Sequence, residues 1–422
     1  MQQDDFSPAD PLPFPDPVGP PRHRELAALL SLAVGLLVGW SALFYLFGAL
    51  LLVWEAQTGL GKADLSLGLT GAILASAVVA PVAGKVIDAG AGRLLLPFGA
   101  LLGAVGLLAL SQATSHRGFL LAWIVIGAAQ GCSLYEATFT FLARVLRQRA
   151  RRSIALVALV AGLSTSLVYP VASEIADGFG WRKAVVFFAG LSAYVAAPLM
   201  YFGAATLEPA SCRLNRTARA EAAGAALRHA RGQPVFWCLL VAFACLAFTE
   251  GLVLAHGVPA LVAFGHDSAV AILVLALLGP FQAVARIAIL CARVEGASLG
   301  LMVLAVAAMG AGLCVLLLGP QSTGTAFAFM ALFGLGYGLT PVLKPVVVSD
   351  CLGYASIGAI LGCLALPYYA ALALAPYLGS ILWEQGGYAL ALKTGVAGTL
   401  LCMAGLIWVG LARAPSRVSV AG

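Results

Sequence analysis

Three ionisable side chains stand where the sequence provides no water. Glu136 lies in GAAQGCSLYEATFTF, Glu250 in CLAFTEGLVLAHG and Lys344 in GLGYGLTPVLKPVVV, each inside a long apolar run. A charge at the centre of a membrane helix costs roughly 2.5–3.5 kcal/mol on insertion scales, so a partner, a proton or a bound ion must offset it. A carboxyl group that binds and releases a proton suits a carrier driven by a proton gradient, which makes Glu136 and Glu250 proton-coupling candidates. A lysine nearby suits an anionic solute, or a pairing with Glu136 or Glu250 that changes partner during a cycle. A fixed structural ion pair accounts for the same residues, and at the level of sequence both readings stand.

Weaker candidates surround these three. Tyr45, Gln130, Tyr135 and Tyr337, with Trp40, can supply aromatic walls and hydrogen bonds to a small ligand, although each alone also reads as packing. Pro341 and Pro345 bracket Lys344 and remove backbone donors, which predicts a loosened helix lining a cavity. Lys344 itself falls past the middle of its run, about 12 Å towards the cytoplasmic end at 1.5 Å per residue.

The elements that must hold these residues follow from composition. Of 422 residues 61% are hydrophobic and 10% charged, which no water-soluble surface permits. Twelve apolar runs of about 20 residues each can cross a bilayer core of about 30 Å as helices. The chain divides into an acidic, proline-rich disordered tail (1–25), a first six-helix bundle (26–205), a basic linker (206–234), a second six-helix bundle (235–412) and a short tail (413–422). Arg144, Arg147, Arg149, Arg151 and Arg152, and the linker's Arg213, Arg216, Arg219, Arg228 and Arg231, place those loops and both termini in the cytoplasm of a cell whose inner (plasma) membrane the chain spans. The net charge of +6 is thus a matter of topology and anionic lipid, with no nucleic acid implied. Nine scattered cysteines without a CxxC pair predict no metal site. The absence of a Walker-type loop, HExxH or a nucleophile elbow predicts no cofactor and no enzyme.

The two bundles repeat. Gly127 and Gly131 align with Gly334 and Gly338, Pro170 and Gly180 with Pro376 and Gly386, and Pro81 and Asp88 with Pro280 and Arg286. On this register Glu136 and Lys344 occupy near-equivalent places, as expected of a parallel repeat.

The stretch GKVIDAGAGR, Gly84 to Arg93, resembles the loop signature between helices 2 and 3 of the major facilitator superfamily, with Ala89 in place of the usual basic residue and one residue inserted before Gly92. The lead-in GKADLSLGLTGAILASAVVAPVAG, with YEATFTFLARVL and GWRKA, resembles the bacterial branch near the monocarboxylate and oxalate/formate porters. AGLSTSLVYP in helix 5 lacks the paired glycines of the antiporter signature of many drug exporters. The resemblance implies an all-α membrane protein of twelve helices in two pseudo-symmetric bundles, acting as a monomer by alternating access, with helices 1, 4, 7 and 10 around a central cavity. It implies a secondary transporter moving a small solute, first of all an organic anion, with protons or a counter-ion. Export of an amphiphilic drug or metabolite, and a non-transporting receptor or assembly factor, are the alternatives. Gly84, Asp88 and Arg93 become gating residues. Arg286, mirroring Asp88, is expected near the cytoplasmic end as a gate or helix-terminus contact, although related anion porters bind a carboxylate with a helix 8 arginine.

Overall fold

The structure, a computed structural model, describes residues 22–58, 62–208, 216–291, 297–354 and 356–413. Most of the two expected tails and the first part of the linker lie outside the described residues.

Apolar runs with no water to satisfy their backbone fold as helices. The first crossing is α1 (Arg22–Trp40) and α2 (Leu46–Thr58), joined by one wide π turn at Ser41–Tyr45. Next come α3 (Lys62–Val86) and α4 (Gly92–Gln112), joined through Ile87–Ala91, where Gly90 at φ 77° turns the chain back. Then follow α5 (His116–Ser133) with α6 (Tyr135–Leu146), α7 (Ala150–Ala161) with α8 (Ser164–Phe179), and α9 (Trp181–Leu191) with α10 (Ala197–Leu207) around a second π turn at Ser192–Ala196. After α11 (Arg216–Gly232), the second half comprises α12 (Pro234–Ala263), α13 (Ser268–Ala276) with α14 (Leu278–Cys291), α15 (Ser298–Leu318), α16 (Thr323–Leu352) and α17 (Ile357–Arg413).

Nine helical runs among the described residues are long and apolar enough to cross a membrane. The expected twelve crossings are therefore not twelve separate rods. α17, with 57 residues, is divided by the non-helical Gly386 and Gly387 (φ 69°) into two helices, room for two crossings. The run Leu67–Gln112 likewise contains the turn at Gly90, while α7 and α8 are separate short helices divided at Gly162 and Leu163.

Local chemistry explains several breaks. A π turn frees a carbonyl from the helical ladder, and a neighbour must then satisfy it. Gln130 Nε2 donates to Leu43 O at 2.7 Å in the first such turn, whereas Ser192 Oγ, within the turn at Ser192–Ala196, ties that turn to α4 by donating to Ala100 O at 2.8 Å. Helix 4 breaks at Leu134 (φ −81°, ψ −158°) without a proline, and Thr138 Oγ1 donates across the break to Ser133 O at 2.8 Å. Against expectation α16 runs unbroken through Pro341 and Pro345. Tyr337 O, which the missing Pro341 amide leaves free, lies 3.0 Å from the Thr340 hydroxyl instead.

Large apolar side chains such as Val78, Leu304 and Leu411 are more than 60% exposed, an outer surface suited to hydrocarbon. Inside, the halves join where α3 meets α17, α7 meets α14, and α6 meets α16 and α17. α8 packs mainly on α2 and α9, and α13 on α12 and α16, so these segments stay with their own halves. The linker is partly helical. Ala223, Leu227 and Ala230, at i, i+4 and i+7 on α11, are buried, and α11 packs on the Ile87–Ala91 turn, α12 and α17.

Candidate functional site

The three buried charges meet between the halves. Lys344 Nζ on α16 forms a salt bridge with Glu136 Oε1 on α6. The same ammonium sits 3.8 Å above the ring of Tyr368 on α17, a cation–π contact. The Tyr368 hydroxyl then donates to Glu250 Oε2 on α12 at 2.6 Å. Thr340 lies 2.9 Å from the other Glu250 oxygen. Its single proton also has Tyr337 O within reach, so a hydroxyl rotation alone can change partner. Glu250 is 1% exposed, and among the described residues no cation forms a salt bridge with it. Tyr369, next in sequence, lies within electrostatic range of Glu136.

Arg286 lies deeper than its register suggested. It is 4% exposed, and its Nε donates to Gly338 O at 3.2 Å, close to the midpoint of α16 rather than at a helix end. Its Nη1 reaches Ala158 O on α7 of the other half at 3.0 Å, and Nη2 reaches Gln282 Oε1 at 2.8 Å. All three acceptors are neutral, and no carboxylate among the described residues pairs with this guanidinium. Tyr45, Tyr135 and Tyr337 gather within electrostatic range of it, and Tyr337 is within range of Glu250 too. Trp40 packs on Tyr135 with ring centroids 4.5 Å apart, and its indole N–H is buried without a partner.

Gln130 stands apart. Its side chain is buried and spent on the π turn at Leu43, so the structure gives it a place in helix geometry beside the aromatic wall. Of the expected gating residues, Gly84, Asp88 and Arg93 lie near one another, apart from Arg286. Asp88 accepts from the backbone amides of Gly358 at 2.8 Å and Ala359 at 2.6 Å, capping α17 of the other half from outside, where an anion is favoured by the helix dipole. Gly84 lies directly against Gly358, and a Cβ there would come within 1.8 Å of Gly358 O. The Arg93 amide donates to Glu208 Oε2 at 3.1 Å, and the same carboxylate pairs with Arg144. The space between Glu136 and this contact, lined by Ala80, Gly84, Gly131 and Gly362, measures about 10 Å³, room for one water.

Sequence reasoning missed Tyr368, Tyr369, Thr340 and Glu208. Two adjacent tyrosines after Pro367 in an otherwise apolar run were the available signal for the first pair. Glu208 looked like part of a solvated linker.

The sequence profile of the Major Facilitator Superfamily matches residues 54–362. No curated protein sequence matches the chain significantly. Among solved structures, the human organic anion transporter MFSD10 (TETRAN) is similar at a TM-score of 0.67 and 18% identity, covering 92% of this chain and 100% of that one. The proton:xylose symporter XylE, bound to 6-bromo-6-deoxy-D-glucose, gives 0.66 and 14%, with 92% and 95% covered. The transporter FucP in its outward conformation gives 0.70 and 12%, with 92% and 99% covered. At such identities the likeness is one of fold.

Proposed function

The chain belongs to the Major Facilitator Superfamily, a family of multi-pass membrane transporters, and on that premise we propose that it is a secondary transporter carrying a small carboxylate together with protons by alternating access. Solved neighbours include an organic anion transporter and a proton:xylose symporter, so fold alone does not choose the solute. The observation that carries the choice is Arg286, a buried cation held only by neutral oxygens, with Lys344 likewise bonded across the two halves. A buried guanidinium without a carboxylate is a costly arrangement that an arriving anion relieves. The resemblance to monocarboxylate and oxalate/formate porters points the same way.

Charge balance supports coupling. Glu136, Glu250, Lys344 and Arg286 sum to zero when all are ionised. A monocarboxylate entering alone leaves one uncompensated negative charge in a medium that penalises it, whereas a monocarboxylate entering with one proton leaves none. Glu250, bonded to two hydroxyls and to no cation, is the group placed to take that proton. Asp88, Gly84 and Gly358 form the contact at one end that must part when the opposite end closes.

Counterflow in proteoliposomes with labelled L-lactate, succinate and D-xylose tests this. Exchange of a carboxylate, stimulated by an inward proton gradient, is expected. Exchange of xylose without either carboxylate would overturn the anion reading.

A further inference from the structure

Tyr368 touches both chemical halves of the site. Its hydroxyl donates to Glu250 Oε2 at 2.6 Å, and its ring face carries the Lys344 ammonium at 3.8 Å, while that ammonium pairs with Glu136. An ionised Glu250 is an acceptor only and fixes the phenol as donor, which also fixes the plane of the ring. A protonated Glu250 carries an O–H of its own, so the hydrogen bond reverses if that proton sits on Oε2 and weakens to one with a neutral acceptor if it sits on Oε1, and in either case the ring is held less firmly in that plane. The ring is the platform beneath Lys344, and a displaced platform weakens the cation–π contact that steadies the ammonium. The other groups facing Glu250 are Thr340, Tyr337, the more distant Lys344 and Glu136, and Tyr369 and Cys402 of α17. None of these joins Glu250 to Lys344 by direct contact at both ends.

We infer that Tyr368 is the coupling residue of this site: its hydroxyl senses whether Glu250 holds a proton, and its ring transmits that state to Lys344 and so to the Lys344–Glu136 pair. The inference rests on the reading of Glu250 as the proton site. Tyr368 is a positioning residue in this scheme and acts through its two neighbours. Proton binding at Glu250 releases Lys344 for the solute, and solute binding at Lys344 favours the protonated carboxyl, as linkage requires of any two coupled sites.

The experiment titrates the full-length protein in lipid by infrared difference spectroscopy, with no solute present, following the carboxyl band that Glu250→Gln removes. Lys344→Gln is expected to displace the midpoint of that band by about one pH unit. In the Tyr368→Phe background the displacement should fall by at least half, and in the Tyr368→His background, which keeps a ring and a donor, it should persist. Equal displacement in all three backgrounds, or no displacement with Tyr368 intact, overturns the inference. Loss with His as complete as with Phe assigns the effect to the phenol hydroxyl itself and upholds the inference. A transport assay on the same preparations gives the second readout. Tyr368→Phe should lose about tenfold in L-lactate accumulation driven by a proton gradient, and unaltered accumulation overturns the inference. Wild-type protein that moves no L-lactate or succinate overturns the carboxylate reading alone, and the titration still decides the role of Tyr368.

Discussion

Lys344 separates a working site from a structural brace. Its ammonium has two partners, the Glu136 carboxylate and the Tyr368 ring, and both are buried or half-buried. Removing one member of such a pair costs about 3–5 kcal/mol, chiefly because the other charge is left unpaired. Lys344→Gln alone should therefore lower the melting temperature and the yield of folded protein. The pair of substitutions Glu136→Gln and Lys344→Gln removes both charges and should recover most of that stability. If the solute binds Lys344, the recovered double variant still loses at least tenfold in carboxylate uptake, about 1.4 kcal/mol or more of transition-state binding. Uptake by the double variant at the wild-type rate would leave the pair as a brace and nothing else. Glu136, Glu250 and Lys344 were legible in the sequence because a charge inside an apolar run is rare and must have a reason. Tyr368, Tyr369 and Thr340 were not, because a tyrosine or threonine in a membrane span usually packs, and only the direction of its hydroxyl distinguishes the two roles. Arg286 was legible as a residue and misplaced by register, since a side chain of that length moves its charge well away from its own backbone position.

At the scale of elements the decisive contact is between the turn at Ile87–Ala91 and the first residues of α17. Asp88 supplies two hydrogen bonds to amides that have no partner within their own helix, and an anion at a helix N-terminus contributes about 0.3–1 kcal/mol, up to about 2 when partly buried. Asp88→Asn keeps the shape but removes the charge and one acceptor. Hydrogen exchange at the Gly358 and Ala359 amides should accelerate by about five- to thirtyfold, the equivalent of 1–2 kcal/mol. Cycling should slow while solute affinity stays close to wild type, and unchanged exchange at both amides would show that the cap contributes nothing. The crossings themselves were readable from run length and hydropathy, and Gly90 and Gly386 from the loop residues around them. The π turns, the break at Leu134 and the continuity of α16 through two prolines were not. Each depends on whether a neighbouring side chain, such as Gln130, Thr138 or Thr340, happens to reach the freed carbonyl. The helical part of the linker escaped notice because its apolar positions are mostly alanine, among basic residues that suggested a solvated loop.

For the whole molecule, the two halves meet at the charges, as the expected repeat would have it. Two equivalent positions lie close together only where they sit near the axis that relates the halves, and Glu136 and Lys344, near-equivalents in the repeat, form a direct pair. The pair joins α6 of one half to α16 of the other, so any rocking of one half on the other is felt there. The contact that sets the present arrangement lies away from it, where the backbones of α3 and α17 touch at Gly84, Gly358 and Gly362 with no room for a side chain. A valine at position 84 cannot be accommodated by a rotamer change, because its Cβ would overlap the Gly358 carbonyl itself. Gly84→Val should consequently hold that end of the molecule apart and leave each six-helix bundle folded. Cys363 provides a native reporter, being half-buried on α17 with the Arg231 guanidinium of α11 3.2 Å from its sulfur. Maleimide labelling of Cys363, read by peptide mass spectrometry, should rise about tenfold in Gly84→Val, as expected for a population shift of about 1.4 kcal/mol, and carboxylate uptake should fall by a similar factor. Wild-type labelling together with wild-type uptake would mean that α3 and α17 need not touch during the cycle, and alternating access through this contact would have to be abandoned.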